Sequence, residues 1–358
     1  MRAVAFASPA AGSQPASSGV PRLDRVAALT DPRSLGALFG PVQDVRVAPV
    51  PTTIGSTQAT HRRVRVRLKA GRTRHLWLKE NRPDTDWTAR GTGVTVGREA
   101  ALLAEPALAG IWDHVACPYR AYAVEGGAYA LLMDDLSEHL LSHKLGIAAH
   151  SSDRVAKWLS GRAFTADEED AVLAAAAGMH ARYWGSAATR RPWLQSPWHR
   201  MRFVGPRDRT PSEQFASIRA RWDLALARLP APVAELLLAP TDELAGRCAG
   251  LPWTVFHGDL NLTNLALPPG GRLVALDWGL VGAGPATLDL FWYLFLHPHR
   301  RARSHEGSLA RYRQLHEAAL GARVAEAVWT RLVDVGLLCG AIMTTHLLAE
   351  SVASSSCR

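Results

Sequence analysis

HGDLNLTN, at residues 257–264, follows directly on the apolar segment WTVF at 253–256, and LDWG follows at 276–279. A second apolar segment, LVAL at 273–276, leads into that later aspartate. Short apolar runs bounded by turn residues are typical of buried strands. The pattern therefore predicts two strands, each of which ends in a polar loop.

Two carboxylates and an amide in these loops match the requirements of phosphoryl transfer. One carboxylate must orient or deprotonate the attacking hydroxyl, while a second carboxylate and an amide oxygen hold magnesium. Asp259, Asn264 five residues later, and Asp277 supply these groups. Each residue alone is more often a turn or strand-end residue, but together they favour a catalytic loop followed by a metal loop.

The HGDLNLTN and LDWG motifs resemble those of the aminoglycoside phosphotransferase and choline kinase superfamily, whose members carry an HGDxxxxN loop. The resemblance implies that Asp259 is the catalytic base and that Asn264 and Asp277 bind Mg²⁺. It also implies that His257 braces the loop. Many members have a His or Trp two residues after the catalytic Asp, where this chain has Asn261; the departure concerns contacts with the substrate.

Three further residues fit the same resemblance. Asp289 stands where the family begins a helix after the metal loop, and would brace the catalytic loop; an ordinary helix N-terminal carboxylate is the equal alternative. Lys79 ends the segment HLWLK, and Glu99 lies in the segment REAALLAE. By the resemblance, Lys79 contacts the phosphates of ATP (or GTP) and pairs with Glu99.

The nucleotide site has weaker signals elsewhere in the first third of the chain. Gly55 and Ser56 lie in a loop that would cover the phosphates, although it lacks a full GxGxxG pattern. Met133 and Asp135 resemble the family's hinge, where backbone groups meet adenine. Trp77 shares a strand face with Lys79, because side chains alternate along a strand, and is expected at the roof of the adenine pocket.

The alternation of valine or leucine with arginine at 63–68 predicts a half-buried strand, and Gly126-Gly127 predicts a hairpin turn. A helix is expected from residue 98 until Pro106 disturbs it, and a capping box at Thr165 precedes another. Downstream of these strands, helical periodicity dominates.

These elements predict an α+β fold, strand-rich first and helical afterwards, and the resemblance implies that it is protein-kinase-like with two lobes. Residues 1–22, rich in Ala, Ser, Pro and Gly, are expected to be disordered. Residues 23–133 form the N-lobe, 134–137 the hinge, and 138–358 a helical C-lobe with the catalytic loop and acceptor pocket.

The acceptor is predicted from charge and aromatic content. Residues 186–230 contain nine arginines but only Asp208, Glu213 and Asp223 as acids, which favours a neutral or anionic acceptor such as a nucleoside, a sugar or a natural-product antibiotic. A cationic acceptor of the aminoglycoside or choline type, and a non-catalytic nucleotide-binding pseudokinase, are the alternatives. Five aromatic residues are candidates for a pocket wall or for core packing: Trp193, Trp198, Trp222, Trp292 and Tyr293.

The composition of the chain bears on nucleic-acid binding, membrane insertion and cellular compartment. The net charge of +9 comes from 41 basic and 32 acidic residues, mostly arginine spread along the chain; without a basic–aromatic repeat, no nucleic-acid partner is expected. The sequence contains no continuous stretch of about 18 apolar residues, so no membrane span is expected. Four scattered cysteines and the lack of an apolar signal region predict a cytoplasmic enzyme with reduced thiols, as a monomer or homodimer.

Overall fold

The computed structural model describes residues 19–50, 59–86, 89, 96–146, 161–206, 216–296, 298 and 300–355. Within these ranges the first part of the chain is built around a sheet, and the rest is mainly helical. The α+β fold with a small β-rich N-lobe and a larger helical C-lobe is therefore confirmed.

Six strands form the N-lobe sheet: Arg22–Leu23 (β1), Val42–Pro49 (β2), Thr60–Leu68 (β3), Thr73–Asn81 (β4), Tyr119–Glu125 (β5) and Ala128–Asp134 (β6). They lie in the order β1-β5-β6-β4-β3-β2. All neighbours are antiparallel except β1 and β5. The hairpin between β5 and β6 turns at Gly126 and Gly127, both with positive φ, as predicted.

One face of this sheet is covered by the helices that precede β2. On β3 the side chains of Val64, Val66 and Leu68 are buried, and the arginines between them are exposed. The buried side chains share a core with Leu29 and Leu35. Those leucines lie in a 3₁₀-helix, Val26–Thr30, and in Pro32–Phe39 (α1).

The other face receives helix α2, Arg98–Ala104, which carries Glu99 to the sheet residue Lys79. The helix ends before Pro106, as predicted, because proline has no N–H to continue the ladder. The chain goes on as a 3₁₀-helix over Pro106–Asp113.

The C-lobe contains nine α-helices in the described residues: Leu141–Lys144 (α3), Ala166–Arg182 (α4), Pro197–Val204 (α5), Ala216–Leu226 (α6), Ala231–Leu237 (α7), Thr241–Arg247 (α8), Thr287–Leu296 (α9), His305–Leu320 (α10) and Glu326–Ser355 (α11). The capping box is present at the start of α4, where Thr165 and Glu168 bond each other's backbone N–H. Helix α10 packs on α4, and α11 packs on α9.

Helix α11 is long and apolar enough, over Glu326–Leu347, to cross a membrane by length and composition alone. Just over half of its apolar stretch is buried inside the protein. Packing on α9, itself almost wholly buried, accounts for that apolar character.

Two short two-stranded sheets hold the catalytic and metal loops. Their strands are Thr254–Phe256 (β7), Leu265–Ala266 (β8), Val274–Ala275 (β9) and Gly282–Gly284 (β10). β7 pairs with β10, and β8 pairs with β9, both antiparallel. Both predicted strands are thus present, shorter than the apolar runs that indicated them.

The predicted boundary of the N-terminal disordered segment is wrong at its end. Residues 1–18 lie outside the described part of the chain, but Arg22 belongs to β1 and is paired with Tyr122. Backbone pairing at the sheet edge holds this residue, and its neighbours Val20 and Leu23 pack against the hydrophobic cores. The predicted start of the hinge, residue 134, is one residue too early, because Asp134 is still part of β6.

Candidate active site

The carboxylate of Asp259 is held on both sides by neutral donors. Nδ2 of Asn264 donates to Oδ2 at 2.9 Å, and the indole N–H of Trp292 donates to Oδ1 at 2.8 Å. Asn264 Nδ2 also bonds the backbone carbonyl of Asp259 at 3.2 Å. A carboxylate has about four acceptor positions, and these two donors occupy one position on each oxygen. The side chain is oriented without being neutralised by a cation in these bonds.

His257 is fully buried and braces the loop, as the resemblance implied. Its Nδ1 accepts the backbone N–H of Asp259 at 3.1 Å, and its Nε2 lies 2.9 Å from the carbonyl of Leu276. Since Nδ1 is an acceptor, the proton sits on Nε2 and is donated to Leu276. The ring therefore ties the catalytic loop to the residue that precedes Asp277.

Gly258, between these two residues, has φ +84°, and a Cβ on it would lie 2.1 Å from the carbonyl oxygen of Leu280. Both the backbone conformation and the close approach require glycine. The HGD motif thus contains a glycine because the catalytic loop packs directly against the metal loop.

Asp289, in the first turn of α9, holds the backbone of the catalytic loop in place. Its Oδ2 accepts the N–H of His257 at 2.6 Å, and its Oδ1 accepts that of Gly258 at 2.7 Å. His180 Nε2 lies 3.4 Å from the same carboxylate and Tyr312 OH lies 2.6 Å from His180 Nδ1. Burial acts to raise the pKa of Asp289, but the interactions with His180 and His257 and the hydrogen bond from Gly258 N–H together hold it below its ordinary value.

Lys79 connects the N-lobe to the metal loop. Its Nζ lies 2.7 Å from Oε2 of Glu99 and 2.7 Å from Oδ1 of Asp277. Glu99 is fully buried and also accepts the hydroxyls of Tyr119 and Tyr129. Desolvation acts to lower the pKa of Lys79, but the charges of Asp277 and Glu99 raise it well above its ordinary value. The predicted pair is present, and Lys79 carries a positive charge into the cleft.

Asp277 is the one non-glycine residue in the described ranges with positive φ, at 58°. Strain of this kind clusters at functional sites, and Asp tolerates it better than most residues. Desolvation acts to raise the pKa of Asp277, but the charge of Lys79 and its hydrogen bond lower it below its ordinary value. The side chain is 44% exposed, so an ionised carboxylate faces the cleft.

A magnesium ion fits the chemistry of this donor set. The Nδ2 of Asn264 donates to Asp259. The Oδ1 of Asn264, a neutral oxygen, is therefore the atom that would bind a cation. Asp277 offers a charged oxygen, and the bond from Leu276 N–H to Asn264 O, at 2.7 Å, holds the two loops together. Asn264 and Asp277 are the residues that would hold Mg²⁺, a cation that prefers oxygen ligands.

Sequence reasoning did not find Arg98. This arginine is almost completely buried at the start of α2, and it donates to the carbonyl of Gly279 at 3.2 Å. Burial lowers the pKa of Arg98 to about 10. It links α2 to the metal loop beside the Lys79–Glu99 pair. A charged residue next to Glu99 at the start of an apolar helix was its only signal in the sequence.

The remaining nucleotide-site predictions, at Gly55, Ser56, Met133 and Asp135, stay predictions. Gly55 and Ser56 lie outside the described residues. Met133 is paired with Trp77 in the sheet. The N–H of Asp135 is bonded to the carbonyl of His75 at 3.1 Å, and its carboxylate accepts from Ser137. Contacts of Met133 and Asp135 with adenine stay predictions, and the Asp135 N–H is already engaged within the protein.

The five aromatic candidates fall into three groups by their burial and contacts. Trp222 and Tyr293 are core residues, each 1% exposed. Trp193 and Trp198 are half-buried and pack against the main core. Trp292 alone among the five bonds the catalytic loop.

The sequence profile of the phosphotransferase enzyme family matches residues 58–332. No curated protein matches the chain. Similar solved structures include the choline kinase LicA from Streptococcus pneumoniae (13% identity, 89% of each chain covered, TM-score 0.43) and the macrolide 2′-phosphotransferase MphH from Brachybacterium faecium (17% identity, 90% of this chain and 96% of that chain, TM-score 0.42).

An aminoglycoside phosphotransferase from Alicyclobacillus acidocaldarius is also similar, with 12% identity over 88% of this chain and 93% of that chain and a TM-score of 0.34. At these identities and TM-scores the solved structures carry no information about the substrate. The family profile, in contrast, spans both lobes and includes Lys79, Asp259 and Asp277. The chain belongs to the phosphotransferase enzyme family.

Proposed function

We propose that the protein transfers the γ-phosphoryl group of ATP, or of GTP, to a hydroxyl of a small molecule in a magnesium-dependent reaction. The observation that carries the proposal is the double contact of Lys79 with Glu99 and Asp277. It places a buried, charged lysine beside the metal-ligand aspartate. A protein that only bound a partner would have no need of this arrangement.

Each residue has a role that follows from its chemistry. Asp259 orients the acceptor hydroxyl and accepts its proton, while Trp292 and Asn264 hold the carboxylate in place. Lys79 neutralises phosphate charge, and Asn264 and Asp277 hold Mg²⁺. The metal ion, when bound, stabilises the charge on the β- and γ-phosphate oxygens. Asp289 and His257 keep the loop in place and need not touch the substrate.

The acceptor is proposed to be neutral or anionic. Unlike charges about 4 Å apart attract by about 4 kcal/mol at an effective dielectric of 20, and like charges repel as strongly. The arginine excess at 186–230 therefore disfavours a polycation, which needs several carboxylates around it. Glu105 offsets one charge of this excess, because it accepts two hydrogen bonds from Arg191.

Incubation with ATP, Mg²⁺ and a panel of acceptors tests this proposal. The panel contains uridine and glucose as neutral hydroxylated compounds and kanamycin and choline as cationic ones. Mass spectrometry should detect one added phosphoryl group on a neutral member, with no product from the Asp259→Asn variant. Rapid transfer to kanamycin with none to the neutral compounds would contradict the proposed acceptor class. Nucleotide binding without transfer to any acceptor would favour a pseudokinase.

A further inference from the structure

A narrow pocket lies on the C-lobe side of the catalytic loop. Its cavity volume is about 20 Å³, which is room for about one water molecule. Apolar side chains form most of its wall, among them Met201, Phe256, Leu280, Leu288 and Met343. The two methionines are flexible enough to admit a somewhat larger group.

Gln195 places a polar side chain, a carboxamide, in this mainly apolar wall. The residue is 2% exposed, and neither its Oε1 nor its Nε2 has a hydrogen-bond partner in the described part of the chain. A buried amide left unbonded costs free energy, so such groups call for an explanation. Proteins retain buried polar groups without partners chiefly at functional sites.

The backbone of Gln195 is fixed independently of its side chain. Its N–H bonds the carbonyl of Val281 at 3.0 Å, and its carbonyl accepts from Ala283 at 3.1 Å. Position 195 is therefore held against the strand that follows the metal loop. A substitution of the side chain leaves both bonds in place.

The pocket is linked to the candidate base through Trp292. Trp292 lines it and donates its indole N–H to Asp259. The carboxylate of Asp289 also borders it, but both its oxygens accept backbone N–H groups of the catalytic loop. The described wall thus offers apolar surface and one amide without a hydrogen-bond partner, and its carboxylate, Asp289, already binds the catalytic loop.

We infer that this pocket is an acceptor subsite for a small uncharged group, one or two carbons that carry a hydroxyl or carbonyl oxygen. Gln195 is its specificity-determining residue. The amide donates through Nε2 and accepts through Oε1, which suits a hydroxyl, while the apolar walls enclose the attached carbons. The inference rests on the proposed function, since the group in this pocket is then part of the phosphoryl acceptor.

Ethanol and ethylammonium are matched probes, because they share a carbon skeleton and differ in charge. Each is titrated into the full-length protein while the Gln195 side-chain amide and the Trp292 indole N–H are followed by NMR. The Gln195 signal is assigned by its loss in Gln195→Met. Ethanol should shift both signals saturably, and ethylammonium should shift neither.

In Gln195→Met the ethanol affinity, read from the Trp292 signal, should fall about three- to tenfold. Gln43→Met, at an exposed position on β2, is the matched control and should bind ethanol as the unaltered protein does. Unchanged affinity in Gln195→Met, equal responses to both probes, or shifts that never saturate would overturn the inference.

Because this test does not depend on turnover, the two proposals fail separately. Gln195-dependent ethanol binding in a protein that phosphorylates nothing would refute the proposed function and leave the pocket standing as an alcohol site. Phosphoryl transfer in a protein that lacks Gln195-dependent ethanol binding would refute the subsite alone.

Discussion

Trp292 donates its indole N–H to the carboxylate of Asp259 across 33 positions of sequence, at 2.8 Å. The bond couples helix α9 to the catalytic loop. The same helix bonds that loop a second time, because Asp289 accepts the N–H groups of His257 and Gly258. One helix therefore fixes both the backbone and the reactive side chain of the loop.

Asp259→Asn should lower kcat by about 10²- to 10⁴-fold, because an amide does not accept the proton of the acceptor hydroxyl. The affinity for nucleotide should stay close to that of the unaltered protein, since Asp259 bonds Asn264 and Trp292 whereas Lys79 bonds Glu99 and Asp277. Steady-state kinetics and calorimetry measure the two quantities. Asp24→Asn, at an exposed position, is the control; near-normal turnover of Asp259→Asn would refute its role as base.

Asp277→Asn should greatly weaken magnesium-dependent binding of ATP. Asparagine tolerates the left-handed backbone at φ 58°, so the change removes a charge with little added strain. Alanine at this position would combine both effects. Calorimetric titration with ATP, with and without Mg²⁺, measures the loss. An unchanged affinity for the magnesium complex would show that Asp277 is not a metal ligand.

Lys79→Met should destabilise the fold by about 3–5 kcal/mol, because Glu99 is left as a buried charge without its cation. Adding Glu99→Gln should recover part of the loss, so that the two changes couple by about 0.5–3 kcal/mol. Urea unfolding of the single and double variants measures the coupling. Lys69→Met, at an exposed position, is the control, and strictly additive effects would show that the pair does not interact.

Acid should remove the stabilisation that Glu168 contributes at the start of α4. Its hydrogen bonds with Arg162, 2.6 and 2.7 Å long, lower the pKa of Glu168 from 4.5 to about 2. The unfolded chain takes up the proton first, so the contribution is complete above pH 4.5 and disappears as the pH falls to about 2.

Glu168→Gln should therefore show a shallower loss of unfolding free energy over this pH range than the unaltered protein does. Urea unfolding at several pH values measures the slope. Glu235→Gln, at an exposed position in α7, should keep the original slope. The same slope in Glu168→Gln would show that this ion pair makes no pH-dependent contribution.

Local pattern was enough to predict much of the fold. The alternation of Val64, Val66 and Leu68 with arginines specified which face of β3 is buried, because side chains of a strand alternate between faces. The reactive residues were also predictable, since Asp259, Asn264 and Asp277 lie within 19 positions of one another in a pattern that few other functions require.

Contacts between distant residues were not predictable in the same way. Arg98 meets Gly279 across 181 positions, and no periodicity of either segment signals that contact. The bond from Trp292 to Asp259 and the buried amide of Gln195 depend on how α9 and β10 pack around the loop. Such packing is a property of the assembled fold, so tryptophan and glutamine carried no distinctive signal in the sequence.

Transfer of labelled phosphate is the most direct test of the central claim. The protein is incubated with γ-¹⁸O-labelled ATP, Mg²⁺ and the neutral members of the acceptor panel, and the products are analysed by mass spectrometry. The proposed function predicts a phosphorylated acceptor that carries the label, formed only with Mg²⁺ and lost in Asp259→Asn. Labelled product that forms equally well without Mg²⁺ or with Asp259→Asn, or no labelled product from any acceptor, would contradict it.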